Sequence, residues 1–332
     1  MGLTTEDFSK NPYAFLNISD GAEMELIVAA YRKLSIKYHP ETTIEPLATE
    51  KMLEINWAYA ILSDPAKKEE WQRGHEYHLE YSGGSTSEDP ESPPTPDLDP
   101  ELSQDHLDEL IRRGGELNFA RMSLPGLNFK GANLKRAIFE GADITQSNFE
   151  NTDLSGVVFR EAVAVRANFS NANLPGAKLD WADLSKAVFT QANLANAEMS
   201  GTILVSASMI GVNLSGANLK KAILHKANLE KSKLEGANLR DADLSSAILI
   251  LADMEDVDMM GANLQKANLM EAKMIAAYLE EVDFRKANLR AADFDSAILV
   301  KANFAGAEVS TEQLERARML TGLILPNGDK YL

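Results

Sequence analysis

The sequence predicts two domains of different class: a small all-α module followed by a four-sided β-solenoid with helical caps. Three observations carry this. Every fifth residue from Phe119 to Val309 is large and apolar, 39 consecutive positions with Ala164 as the one small exception. Two residues before each, from Ala132 to Ala307, 36 positions hold only Ala, Ser, Thr or Val. Upstream, apolar residues fall at helical spacing until a Gly-, Pro- and acid-rich stretch interrupts them. A repeat this long and strict sets the reading of everything else.

Period five suits neither common element. Five residues turn an α-helix by about 500°, so the large side chains would walk around the cylinder. On a flat strand an odd period flips the face at each repeat. All sites point inward only if the chain turns a corner once per repeat, with the small and large residues sharing the inward face. Phe119, Phe129, Phe139, Phe149, Phe159 and Phe169 alternate with other residues. Three or five sides would stack Phe on non-Phe, and two sides enclose too little. Four sides stack Phe129, Phe149, Phe169 and Phe189 in one column. At roughly 4.8 Å per rung, nine such coils make a rod about 43 Å long.

The segments GANLKRAIFEGADIT, LSGANLKKAILHKANLE and EGANLRDADLS resemble the pentapeptide-repeat family, with its A(N/D)LXX pattern, over roughly residues 117–310. The resemblance implies a right-handed quadrilateral β-helix. Such proteins abound in cyanobacteria, and some bind DNA gyrase through an acidic rod.

Taken in order, residues 1–82 form the helical module, 83–104 an acidic Pro-rich linker and 105–332 the capped solenoid. The linker carries Gly83, Gly84, Pro90, Pro93, Pro94, Pro96 and Pro100, a composition that buries little. SQDHLDELIRR places Leu107, Leu110 and Ile111 on one helical face as a cap over the first coil. Solenoid ends need caps because they expose core and strand edges. Near 310–332, Ser310 and Gln313 form a capping-box pattern opening a helix STEQLERARML, and LILPNG closes the last side.

Residues 11–80 read as four short helices. Asp20 and Glu23 form a capping box. Ile27, Tyr31, Leu34 and Tyr38 then face Met52, Ile55, Tyr59 and Leu62 across an antiparallel hairpin. Pro65 falls in the first turn of a fourth helix. NPYAFLNIS, AAYRKLSIKYHP and INWAYAILSDPAKKEEW resemble a J-domain, the DnaJ-type co-chaperone module. The family tripeptide His-Pro-Asp is here His39, Pro40 and Glu41. By resemblance, that tripeptide and the basic residues Arg32, Lys33 and Lys37 dock on a DnaK-type ATPase chaperone and stimulate hydrolysis. Three departures stand out. Glu41 is one methylene longer than Asp, Ile27 and Val28 occupy sites that often hold Lys, and Glu69, Glu70 and Trp71 replace a basic stretch.

The formal charge of −17 is uneven: −6 over 1–82, −9 over 83–110 and −2 over 111–332. The absence of Cys excludes disulfides and thiolate metal sites. No apolar run is long enough to cross a membrane, the acidic N-terminus is not signal-like, and Glu6 breaks the myristoylation pattern. A cytoplasmic protein with no membrane insertion is expected. Of five histidines, His75 and His78 are three apart and read as solvated. No catalytic constellation, metal site or phosphate loop emerges, so neither enzyme activity nor a cofactor is expected.

Two surfaces are candidate partner sites. At 20-residue spacing Gln146, Arg166, Lys186, Ser206, Lys226, Ser246, Lys266 and Lys286 form one column, flanked by His225 and Arg285. This cationic strip suits an acidic tail or the chain's own linker, with Asp143, Asp183, Asp243 and Asp283 nearby. Ile248, Ile250, Leu251 and Met270 form an apolar cluster. The expected function is a non-enzymatic adaptor. Its J-domain recruits a chaperone while the solenoid binds a client protein or localises the complex. The rivals are an interaction scaffold with a non-stimulating module, and a gyrase-binding DNA mimic, which the near-neutral rod disfavours. Nucleic acid is not an expected partner.

Overall fold

Chain hydrogen bonding makes the repeat visible. In a computed structural model describing residues 10–38, 48–63, 65, 67–69, 71–73, 75, 102–115 and 117–331, parallel bridges link residues 20 apart. They run in four columns from Asn118↔Ile138, Ser123↔Asp143, Asn128↔Asn148 and Asn133↔Asp153. Each inward residue donates its N–H to the next coil, as Phe129 does to the Asn148 carbonyl at 2.7 Å. Asn148 returns a bond to the Leu127 carbonyl at 2.9 Å. Four sides per coil follow directly. Each side is so short that its strand reduces to a single bridge.

The corners are sharp turns. Ala132 N–H closes one on the Phe129 carbonyl at 3.0 Å, and every fifth residue from Arg121 to Gly306 has positive φ. That is the φ signature of a type II turn, which favours Gly at its third position. Most of these corners nonetheless hold Lys, Asn, Arg or other L-residues, so the ladder enforces a conformation costing roughly 1–2 kcal/mol per such residue. Gly201 is a corner where Gly is required for space as well. A Cβ there would lie 2.3 Å from the Trp181 ring.

Inside, the Phe129–Phe149–Phe169–Phe189 column stacks at centroid distances of 4.5, 5.0 and 4.8 Å. Phe119, Phe139 and Phe159 stack likewise on the opposite side, and the two columns meet edge-on across the core, as Phe129 and Phe139 do at 5.6 Å. The few hydroxyls among the small inward residues are buried, and three bond to carbonyls of the preceding coil. Ser147 donates to Leu124 O at 2.7 Å, Thr152 to Phe129 O at 2.9 Å and Thr202 to Leu179 O at 3.1 Å. Ser232 Oγ is buried without a partner. Outside, Asn side chains form ladders, as from Asn213 to Asn193 to Asn173, both at 3.0 Å.

The chain divides into two compact units, Met1–Asp97 and Leu98–Leu332. In the first, α1 (Pro12–Phe15), α2 (Met24–Lys37) and α3 (Ala48–Leu62) enclose a core of Tyr13, Leu16, Ile27, Ile55, Ile61 and Trp71. Tyr31 stacks on Tyr59 at 4.0 Å, and Lys51 lies over the Tyr38 ring at 4.6 Å. This crossed order of contacts makes α2 and α3 antiparallel. The expected Asp20–Glu23 box is not formed. Glu23 is itself the N-cap of α2, with its side chain making no capping bond, while Asp20 accepts a bond from Asn11 at 3.1 Å. Residues 67–69 and 71–73 are helical, and Trp71 bonds the Lys10 carbonyl at 3.0 Å.

In the second unit, α4 (Gln104–Arg113) opens on Ser103 and buries Leu107, with Ile111 packed beside it. Leu110, expected on that face, is exposed. Gln104 bonds both backbone groups of Asn128, to the carbonyl at 2.9 Å and from the N–H at 2.8 Å. One side-chain amide thus stands in for the missing previous coil. At the other end Gln313 donates to the Leu289 and Ala292 carbonyls at 2.9 and 2.8 Å. Its capping box with Ser310 is present, but α5 spans only Thr311–Leu314, not the whole of STEQLERARML. The chain is drawn back to the ladder at Ile298↔Met319 and Asn303↔Ile324, one residue out of the 20-residue register. An antiparallel bridge, Ile324↔Lys330, closes the edge.

Candidate functional site

In the helical module the sequence places the candidate site at the end of α2. Tyr38 is the C-cap, with φ −108 and ψ 19, and residues 39–47 connect it to α3. His39, Pro40 and Glu41 lie outside the described residues. A proline two residues past the cap is a sequence reason for α2 to stop there. Arg32, Lys33 and Lys37 all lie on α2. Lys33, expected on the basic face, is 9% exposed. Arg32 and Lys37 are placed by backbone alone.

Trp71, one of the departures from the family pattern, is a core residue. It meets Tyr13 edge-on at 6.1 Å and stacks on His75 at 4.6 Å. His75 is therefore half-buried rather than freely solvated. Among the described residues no group of acids and histidines is arranged to hold a metal, and no helix is long and apolar enough to cross a membrane.

On the solenoid the register brings the expected cationic column together. Arg166, Lys186, Lys226, Lys266 and Lys286 occupy one corner over seven coils, with Ser206 and Ser246 between them, each at positive φ. Arg166, Lys226, Lys266 and Lys286 are exposed and Lys186 is half-buried. The neighbouring acids serve the backbone. Asp183 Oδ1 accepts Ser185 N–H at 3.0 Å, and Asp243 Oδ1 accepts Ser245 N–H at 3.1 Å. Arg285 turns back onto Asp283 at 2.7 Å. Burial opposes ionisation of Asp283, but bonds from Arg285 and Gln265 outweigh it and hold the carboxyl below its ordinary value. The same balance, with Ser155 and Lys135 as donors, lowers Asp153. Because the folded values are lowered, this stabilisation is complete above the ordinary carboxylate value and is lost as pH falls through the lowered one.

The apolar cluster is partly exposed: Ile248 is 36% and Leu251 45% accessible, with Ile250 and Met270 half-buried. Sequence reading missed a second apolar column, Tyr278–Ile298–Met319, in which Tyr278 is 48% and Met319 45% exposed. Tyr278 and Ile298 keep the 20-residue spacing, but Met319 falls outside it because the last step is one residue longer. Ile203, Val205 and Ile223 were also missed. They project from the outer side of the ladder yet are buried.

The pentapeptide-repeat family model matches this chain in eight copies across residues 116–310, more than half its length. The chain belongs to that family. The DnaJ domain model matches residues 11–72, so the protein is a J-domain joined to a pentapeptide-repeat solenoid. HetL, a pentapeptide repeat protein involved in heterocyst differentiation regulation from the cyanobacterium Nostoc sp. strain PCC 7120, is similar in structure. It has 27% identity and a TM-score of 0.52, covering 68% of this chain and 98% of its own. Mouse DnaJ homolog subfamily B member 5 is 44% identical over 77 residues, 23% of this chain and 22% of that protein. The chaperone protein DnaJ of Methanosarcina thermophila is 44% identical over 86 residues, 26% and 21% of the two chains. The chain therefore spans about a fifth of the length of these curated relatives.

Proposed function

We propose that this protein is a non-enzymatic co-chaperone adaptor of the cytoplasm. Its J-domain recruits and stimulates a DnaK-type ATPase, and its solenoid holds a client or places the complex. The observation that carries this reading is the DnaJ match over residues 11–72, with His39-Pro40 directly after α2. The likeness to HetL supports a cyanobacterial setting. The longer Glu41 favours weakened docking over lost docking, because the charge is kept and only its position changes. A near-neutral solenoid with a cationic corner does not suit DNA mimicry.

Single-turnover ATP hydrolysis by the native DnaK-type chaperone tests the reading. The full chain accelerates hydrolysis, His39→Gln abolishes the acceleration, and Glu41→Asp raises it several-fold, since a contact to a charged group is worth about 1.5–3 kcal/mol when well placed. No acceleration by the wild-type chain supports the scaffold reading instead. A Glu41→Asp variant weaker than wild type points to a chaperone co-adapted to Glu.

A further inference from the structure

Three outward columns meet at the corner after each side: the residue following the core residue, the positive-φ corner itself, and the next ladder residue. At the corner bearing Arg166 and Lys286, these columns hold no Asp or Glu from Thr145, Gln146 and Asn148 through Arg285, Lys286 and Asn288. That is eight successive coils. The other three corners all carry acids along the same stretch, for example Asp241, Asp256 and Glu271. The ladder column on the near edge of this band does hold Asp143, Asp183, Asp243 and Asp283, but these carboxylates are turned to the band's backbone N–H groups or, for Asp283, also to the Arg285 side chain. Ser185 and Val205 within the band are buried, so the accessible part is the corner column with its cationic heads. The Asn ladder along its far edge, such as Asn288 to Asn268 at 3.1 Å, is neutral and already hydrogen-bonded.

We infer that this band is a docking track for an extended acidic segment of a client protein. The inference rests on the adaptor reading of the solenoid and gives the client a chemistry. From Arg166 to Lys286 the track covers six rungs, about 29 Å at roughly 4.8 Å each, the reach of about nine extended residues. The cations at Lys186, Lys226 and Lys266 are two rungs apart, about 10 Å, matching carboxylates on every third residue of an extended chain. A single straight line of charge suits one extended polypeptide. A nucleic-acid duplex is wider and would meet the acids of the adjoining corners. A line of cationic side chains along the rod surface gives affinity that falls steeply with salt.

The test uses the full chain and a fluorescein-labelled peptide of about twelve residues with Glu at every third position and Ser between, followed by anisotropy at low and physiological salt. The peptide binds, and Lys226→Glu with Lys266→Glu weakens it about tenfold or more, while Lys221→Glu with Lys231→Glu on two other corners changes it less than twofold. Equal losses from both pairs overturn the assignment, as does no binding, or equally tight binding of a single-stranded oligonucleotide. ATPase stimulation separates this inference from the reading beneath it. Stimulation without peptide binding defeats the track alone, and peptide binding without stimulation defeats the co-chaperone reading alone.

Discussion

The helical module and the solenoid solve the problem of burial in opposite ways. In the module each core contact is unique: Trp71 reaches the Lys10 carbonyl across most of the module's sequence, and Tyr31 finds Tyr59 on another helix. In the solenoid each contact is a copy of one 20 residues away. A unique core concentrates risk in a few large side chains. A repeated core spreads it, and lets the outer surface vary without touching the fold. That freedom is what allows one corner to lose every acid while the adjacent sides keep theirs.

Large substitutions in the two cores test this contrast first. Trp71→Ala removes a ring, its bond to Lys10 and its contact with Tyr13, at a cost of about 3–5 kcal/mol, enough to unfold a small domain. Leu219→Asp leaves an unpaired carboxylate inside the solenoid and costs about 3 kcal/mol or more. Lys220→Asp, its outward neighbour, costs about 0.5 kcal/mol or less. Denaturant unfolding followed by ellipticity measures all three. Comparable losses from Leu219→Asp and Lys220→Asp would mean that the inward register is wrong.

A finer test compares two copies of the same position. Ser147 is bonded to the Leu124 carbonyl, whereas Ser232 has no partner. Ser147→Ala loses about 1 kcal/mol, and Ser232→Ala is neutral or slightly stabilising because it removes an unsatisfied hydroxyl. Equal effects at the two sites would show that the copies are interchangeable after all. Thermal melts of the two variants decide it.

What could be read from sequence divides along the same line. The four-sided coil, the Phe columns and the cationic corner follow from spacing alone, because one register fixes every position. The one-residue slip at Met319 lay beyond that rule and concealed its place above Tyr278 and Ile298. End contacts were equally hidden. Nothing in the spacing of Gln104 says that its amide replaces an absent coil, since that role depends on where α4 lands. In the module, helical periodicity gave α2 and α3, but Asp20 was drawn off its expected cap by Asn11. For Lys33 the sequence showed the residue type but not its burial. Trp71 stood out only as a departure from the family pattern and is a packing residue. His39, Pro40 and Glu41 were readable only through family resemblance.

The division of labour between module and solenoid is the central claim, and paired affinity capture from the native lysate tests it most directly. Full-length wild type and His39→Gln are immobilised side by side and the bound proteins compared. The account predicts that the DnaK-type chaperone is captured by wild type and lost from His39→Gln, while the other captured proteins remain. Chaperone retained by His39→Gln, or all partners lost together, would contradict it.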